Sequence, residues 1–318
     1  MHTIGVDVGG TKMAAGVVDA AGRVVAHRSY RTPAATAEVV PELCRLVGAV
    51  RGRYDIGAVG VGAAGFVDEH GATVLFAKHI GWTGEPLRTS LEGLLGLPVV
   101  VENDANAAAW GEARHGAGRN ERNLVCVTIG TGIGGGLILD GNLFRGSHGV
   151  AAELGHLCVV PDGRRCGCGA FGCWEMYGSG GALVREGRRR GVVAGADAPA
   201  GPAITRAARA GDPAALDLLA WLGDWVGRGL AGLAAVLDPP CFVLGGGVVA
   251  EAGELLLTPV RTSFRRHLTG VGHRPVARVV PAALGHDAGL IGAADLARVA
   301  QDRTTARSVP SASKDRRR

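Results

Sequence analysis

Two stretches of the chain, GVDVGGTKMAAGVVDAAG from Gly5 and VTIGTGIGGGLILDG from Val127, share one pattern: an apolar strand, a glycine turn and a second apolar strand. β-branched runs bounded by glycine read as strands, and the turn between them makes a hairpin. Either the core is duplicated, with one hairpin in each of two domains, or the chain holds two unrelated glycine hairpins. Its 318 residues accommodate two domains of the usual size.

Around these hairpins, strands are expected at 2–8, 13–19, 24–29, 56–61, 98–101, 124–129, 137–139, 241–244 and 276–280. Helical spacing of apolar residues predicts helices at 36–51, 86–95, 103–115, 180–190, 204–210, 213–237, 251–268 and 288–300. Strands and helices alternate after the opening meander, which gives an α/β class with mixed sheets. Glycine supplies 53 of the 318 residues without a collagen-like period, so these residues mark turns and close backbone approaches.

The net charge of +5 invites a nucleic-acid partner. The charge is not distributed that way. Residues 301–318 carry six basic side chains against two acidic ones, which leaves +1 for the other 300 residues. The basic character therefore belongs to a Ser/Arg tail expected to be disordered, and no specific nucleic acid is expected. No run reaches the about 18 apolar residues of a membrane helix. Asp7 stands where a signal peptide needs an apolar core. The expectation is a soluble, cytoplasmic protein with no membrane partner, in which seven cysteines do not form a disulfide framework.

Three glycine-rich turns each follow a strand: Asp7-Val8-Gly9-Gly10-Thr11-Lys12, the run Gly130-Thr131-Gly132-Ile133-Gly134-Gly135-Gly136, and Gly245-Gly246-Gly247. Lacking Cβ atoms, such turns let backbone N–H groups converge on phosphate oxygens, and Thr and Lys add a hydroxyl and a charge. None matches a Walker A loop or a dinucleotide fingerprint. Each alone reads as a tight hairpin; three together point to a nucleotide. Lys12 is one of only three lysines among 34 basic residues. Asp7 at a strand end could hold Mg²⁺ through water. Glu102-Asn103-Asp104-Ala105-Asn106 opens an Ala-rich helix, where Asn and Asp serve as caps or, functionally, as a general base (Asp104) and a substrate anchor (Asn103).

His156, Cys166, Cys168 and Cys173 supply a complete Cys₃His tetrahedral set, closed and hence structural, with zinc as the expected metal. Cys44, Cys126, Cys158 and Cys241 sit in apolar runs and read as small core residues. If the metal loop fixes its segment, Glu153 and Glu175 come close to His156, one nitrogen of which binds metal while the other reaches a substrate hydroxyl.

The motifs DVGGTK, VENDANAAAWGE, TIGTGIGGGLI, AAELGH, CGCGAFGCWE, VLGGGVV and LGHDAGLIGAADLA, in this order and spacing, resemble the ROK family of repressors, uncharacterised reading frames and sugar kinases. The likeness covers about residues 3–298 and is greatest to its glucokinase branch in high-GC Gram-positive bacteria. It implies an actin-like (ribonuclease H-like) ATPase fold of two domains with mixed sheets and a cleft between them. One domain would be 1–115 completed by helix 288–300, the other 116–287 with the zinc loop 156–173. The resemblance implies ATP-dependent phosphorylation of glucose at its 6-hydroxyl, with structural Zn²⁺ and with Mg²⁺ accompanying ATP. Asp104 would be the base. Gly65, Asn103, Glu153, His156 and Glu175 would bind sugar. Gly9, Gly10, Thr11, Lys12, Thr131 and Gly132 would meet phosphate, and Gly245, Gly246 and Gly247 the adenosine side. Relatives of this kind are commonly homodimers or homotetramers. Where they often carry Pro-Asn, this chain has Lys78-His79. Kinases for N-acetylmannosamine, N-acetylglucosamine or fructose, and a polyphosphate-using glucokinase, are the neighbouring readings. A sugar-sensing regulator without catalysis is the reading of a different class. It would need a helix-turn-helix ahead of the first turn, where only six residues precede Asp7.

Overall fold

The first hairpin forms as its pattern requires: β1 (His2–Val8) and β2 (Lys12–Val18) pair antiparallel, with Val8 opposite Met13 and the turn at Gly9-Gly10. β3 (Val24–Arg31) extends the meander. α1 (Val39–Arg51) buries Val39, Leu43, Leu46, Val47 and Val50, the stripe expected of a surface helix. It leads to β4 (Ile56–Ala63), parallel to β1. A small sheet of β5 (Phe66–Val67), β6 (Val74–Ala77) and β7 (Trp82–Glu85) follows. Then come α2 (Leu87–Leu95), β8 (Val99–Asn103), which is parallel to β4, and α3 (Asp104–His115). The computed structural model describes residues 1–192 and 200–308.

The second half repeats the scheme. β9 (Leu124–Ile129), β10 (Ile133–Leu139) and β11 (Asn142–Phe144) form an antiparallel meander. After the cysteine loop come α4 (Glu175–Gly178), α5 (Gly180–Arg189), α6 (Ala200–Arg209) and α7 (Pro213–Leu237). β12 (Cys241–Gly245) pairs parallel with β9. α8 (Gly247–Ala252), α9 (Glu254–His267), β13 (Arg278–Pro281) and α10 (Ala288–Ser308) complete the chain. The sheet orders are β3-β2-β1-β4-β8 and β11-β10-β9-β12-β13. In both, three antiparallel strands are followed by two parallel ones. The two hairpins are thus copies of one topology, which decides for a duplicated core.

The chain divides into two compact units, Met1–Ala107 joined by the chain from Gly289 onward, and Ala108–Ala288. In the first, α10 lies directly on the sheet. A Cβ on Gly5 would stand 1.8 Å from the Leu290 carbonyl oxygen, and one on Gly60 1.8 Å from that of Ala293, so only glycine admits the helix backbone. In the second, Trp174 is fully buried and its indole N–H donates to the Trp225 carbonyl at 2.9 Å. Its ring packs so closely on α7 that a Cβ at Gly229 would lie 2.1 Å away. Glu112, also buried, accepts from the backbone N–H groups of Ala117, Ala283 and Leu284 and so pins the segment before α10.

Four expectations change. Glycines 134–136 are strand, not turn: β10 pairs with β9 through them, and Leu154 fills the space above Gly135. The predicted helix 251–268 is broken at Gly253, whose φ of +55° ends α8 before α9 begins. Residues 301–308 continue α10 and are not a disordered tail; the rest of the expected tail, 309–318, lies outside the described residues. Cys158 is exposed, not a core residue, whereas Cys126 and Cys241 are buried and Cys44 half-buried. Among the described residues no helix is long and apolar enough to cross a membrane.

Glu186 ties α5 to the cysteine loop. It accepts from Arg189 and Arg190 at 2.7 and 2.9 Å and lies 3.7 Å from Arg164. The hydrogen bond from Arg189, and after it that from Arg190, outweigh burial and hold its carboxyl pKa down at about 2. A depressed carboxylate stabilises the fold above its ordinary pKa and stops doing so as pH falls toward the folded value. Glu186→Gln is expected to cost about 1–3 kcal/mol at pH 7 in urea unfolding. The difference should shrink steadily below pH 4.5; a pH-independent difference would show that packing, not charge, is at stake.

Candidate active site

In the first unit, Asn103 ends β8 and caps α3, its Oδ1 accepting from Asn106 N at 3.0 Å. Its Nδ2 donates to the Gly65 carbonyl at 3.0 Å, so two expected sugar residues are joined directly. Buried Glu102 holds this corner by accepting from Asn103 N and Asn106 Nδ2. The capping reading of this motif is realised: Asn103 caps α3, and Asp104 is the first residue of that helix. Asp104 Oδ1 accepts from Ala105 N at 2.9 Å.

Gly289 brings the two aspartates together. A Cβ there would lie 3.8 Å from the Asp104 carbonyl oxygen and 4.0 Å from the Asp7 carboxyl carbon. Burial pushes the Asp7 pKa up, and Lys12 partly offsets it, so this carboxylate favours an added cation. Lys12 and Thr11 are exposed beside Gly9 and Gly10. The Lys78-His79 segment packs on that same turn: a Cβ on Gly10 would meet the His79 Cβ at 2.6 Å. The residues just before it, Phe76 and Ala77, pack on Gly65.

The second unit carries the other set. The Sγ atoms of Cys166, Cys168 and Cys173 and a ring nitrogen of His156 lie within 4.8 Å of one another. Cys168 and Cys173 Sγ are 3.7 Å apart, as are Cys166 Sγ and His156 Nδ1. Sulfurs held at about 2.3 Å from a tetrahedral zinc stand about 3.8 Å apart, so the donor set fits that ion. With Nδ1 facing the sulfurs, His156 Nε2 faces outward, 3.9 Å from Glu153 Oε2. Burial, reinforced by Glu175, raises the Glu153 pKa, while His156 lowers it. Ala152, just before, has φ +68°, a strained conformation that aims Glu153.

Glu175 links the metal loop to the glycine turn. Its Oε2 accepts from Ile133 N at 3.2 Å, and a Cβ on Gly132 would clash with that oxygen at 2.2 Å. Cys173, Trp174 and Glu175 are consecutive: a candidate metal donor, a core anchor and an expected sugar-binding carboxylate. The buried indole therefore sets the position of both neighbours.

Beside Gly130 and Thr131 opens a cavity of about 630 Å³. Gly180, Gly181, Arg185 and Arg188 of α5, Thr205 of α6, and Gly247, Val248 and Glu251 of α8 line it. Its size suits a nucleoside. Sequence reasoning anticipated Gly130, Thr131 and Gly247 here; the missed signal is Ser179-Gly180-Gly181, a cap and two glycines at a helix start. Gly245 and Gly246 line a separate cavity of about 330 Å³. At Gly246 (φ +88°) a Cβ would lie 2.4 Å from the Ile129 carbonyl oxygen, so this glycine serves the close approach of β12 and β9.

A duplicated mixed sheet with a glycine turn at each hairpin, an aspartate on the first and a nucleoside-sized cavity beside the second defines the actin-like class of ATPase folds. Within that class the chain belongs to the ROK family, which matches residues 3–300. It is 49% identical over 309 residues to a glucokinase from Streptomyces coelicolor, covering 93% of this chain and 97% of that one. An N-acetylmannosamine kinase from Escherichia fergusonii is 34% identical over 303 residues, covering 93% and 98%. The crystal structure of a ROK family glucokinase from Streptomyces griseus in complex with glucose and AMPPNP superposes with a TM-score of 0.86 at 52% identity, covering 94% of this chain and all of that one.

Proposed function

We propose that this protein is a glucokinase that transfers the γ-phosphoryl group of ATP to the 6-hydroxyl of glucose. The observation carrying this reading is the likeness at 49–52% identity to two glucokinases, one seen with glucose and an ATP analogue. The site chemistry supports it. Asp104, aimed by the Asn103 cap, takes the proton of the sugar hydroxyl as its oxygen attacks the γ-phosphorus, and the bond from that phosphorus to the β–γ bridging oxygen breaks to release ADP. Asn103 and the Gly65 backbone bind sugar, and Glu153, His156 Nε2 and Glu175 bind ring hydroxyls through charge-assisted hydrogen bonds. Gly9, Gly10, Thr11 and Lys12, with Thr131 and Gly132, meet the phosphates. The transition state of phosphoryl transfer is loose, so positioning and charge neutralisation outweigh nucleophile strength.

The nucleoside occupies the cavity beside Thr131 and Gly247, whose size suits it. Gly245 and Gly246 support the adenosine side from behind. Asp7 would hold Mg²⁺ through water; the ion neutralises phosphate charge. His156, Cys166, Cys168 and Cys173 would hold structural zinc, which cross-links the loop that presents His156 and Glu175. The protein is read as cytoplasmic, working as a homodimer or homotetramer.

A coupled ADP-release assay should cross glucose, N-acetylmannosamine, N-acetylglucosamine and fructose with ATP and polyphosphate. Glucose with ATP is expected to give the highest kcat/KM. Faster turnover of N-acetylmannosamine would move the chain to that branch, and no sugar-dependent release with any hexose would make it a sensor.

A further inference from the structure

Of the four thiols outside the proposed metal set, Cys158 is the exposed one, and its partner across the loop is a donor of that set. Cys158 and Cys173 form an isolated antiparallel bridge. The hydrogen bonds beside it run from Val159 N to the Gly172 carbonyl at 2.9 Å and from Trp174 N to the Leu157 carbonyl at 2.7 Å. Bonds on the flanking residues, and not between the pair itself, define a non-hydrogen-bonded pair, whose Cα atoms stand about 4.5 Å apart with side chains on one face. That separation lies inside the range of about 4.4–6.8 Å that a disulfide spans. The Cys158 sulfur already leans toward its partner's strand, 3.3 Å from where a Cβ on Gly172 would be.

Exposure assigns the roles. Cys158 is exposed, and Cys173 is buried against the other donors. Cys168 is also exposed and nearer to Cys173, but both sulfurs are metal donors in the loaded loop. Cys158 stands outside that set and meets an external oxidant first.

We propose that Cys158 is a site of thiol oxidation, at which a low-molecular-weight disulfide converts Cys158 and Cys173 into a disulfide and removes Cys173 from the metal. The Cys158 thiol loses its proton and attacks one sulfur of the small disulfide, forming a mixed disulfide and expelling one thiolate. The Cys173 sulfur then attacks the Cys158 sulfur and expels the second thiolate. Two electrons pass from the protein to the small disulfide, which leaves as two thiols. The ion then keeps three of its four donors, and the hold on His156 loosens. The consequence for the metal rests on the zinc reading above; the pairing of the two cysteines does not.

The test treats zinc-loaded protein with oxidised glutathione, follows metal with a chromogenic chelator and maps disulfides by mass spectrometry of unreduced digests. The expected result is a peptide joining Cys158 to Cys173, released zinc in proportion to it, and reversal by dithiothreitol plus zinc. Cys158→Ser, at an exposed position, should keep full activity before treatment and release zinc at least about tenfold more slowly, because the entry thiol is gone. Zinc release from Cys158→Ser at the unaltered rate, or a cross-link of Cys168 to Cys173 in the native protein, overturns the proposal. A Cys158–Cys173 link in protein that never contained zinc upholds the pairing and removes the zinc reading instead.

Discussion

Replacing Asp104 by Asn should lower kcat about 10²–10⁴-fold, the span ordinarily supplied by a positioned base, while glucose still binds. The substitution is nearly isosteric. Its amide oxygen can keep the bond that Asp104 Oδ1 accepts from Ala105 N, so the start of α3 stays in place. What is lost is the second oxygen's capacity to take a proton. Glucose affinity should move only a few-fold, because Asn103 and the carboxylates of the second unit are untouched, and kcat and KM should separate accordingly. Turnover is read by coupled ADP release, binding by calorimetry and integrity by thermal melting. Near-normal turnover would remove Asp104 from the role of base. A loss of binding equal to the loss of turnover would recast it as a sugar anchor.

How much of this was legible beforehand depended on range. The two hairpins could be read from local pattern, because β-branched residues and glycine turns act within a dozen residues. Their identical sheet orders needed the pairing of β9 with β12, more than a hundred residues apart. Glycines 134–136 misled for a physical reason: they are strand residues, and the missing side chain of Gly135 makes room for Leu154. The small sheet of β5 to β7 escaped notice because strands of two to four residues leave no period to detect. Spacing alone picked out His156, Cys166, Cys168 and Cys173, which the structure brings together, since loop length limits which cysteines can meet. It could not tell that Cys158 lies outside on the surface. The apolar run LCVV looks the same in either place. The nucleoside cavity was mostly hidden, because helix starts and ordinary apolar side chains build it.

Removal of the proposed metal is expected to have the second large effect, acting through position. Among the described residues, the loop from His156 to Cys173 gains its order from three sources: short backbone bridges, the buried Trp174 beside it, and the convergence of four donors. Trp174 stays in the core without the metal, and its N–H bond to the Leu157 carbonyl keeps the two ends of the loop paired, so the expected loss is the fixing of the His156 ring and of the turn between the cysteines. A strong chelator, or Cys166→Ser, is therefore expected to lower kcat/KM by about 10–100-fold or more, mainly through KM for glucose. The melting temperature should fall by roughly 10 °C as a few kcal/mol of metal-linked stability disappears from the second unit. ATP binding should suffer less, because the cavity beside Thr131 is built from α5, α6 and α8 and not from the loop. This ordering separates a structural metal from a catalytic one, whose loss would abolish kcat and leave the melting point near its original value. Full activity and an unchanged melt in protein shown to contain no metal would mean that the four donors hold the loop without an ion.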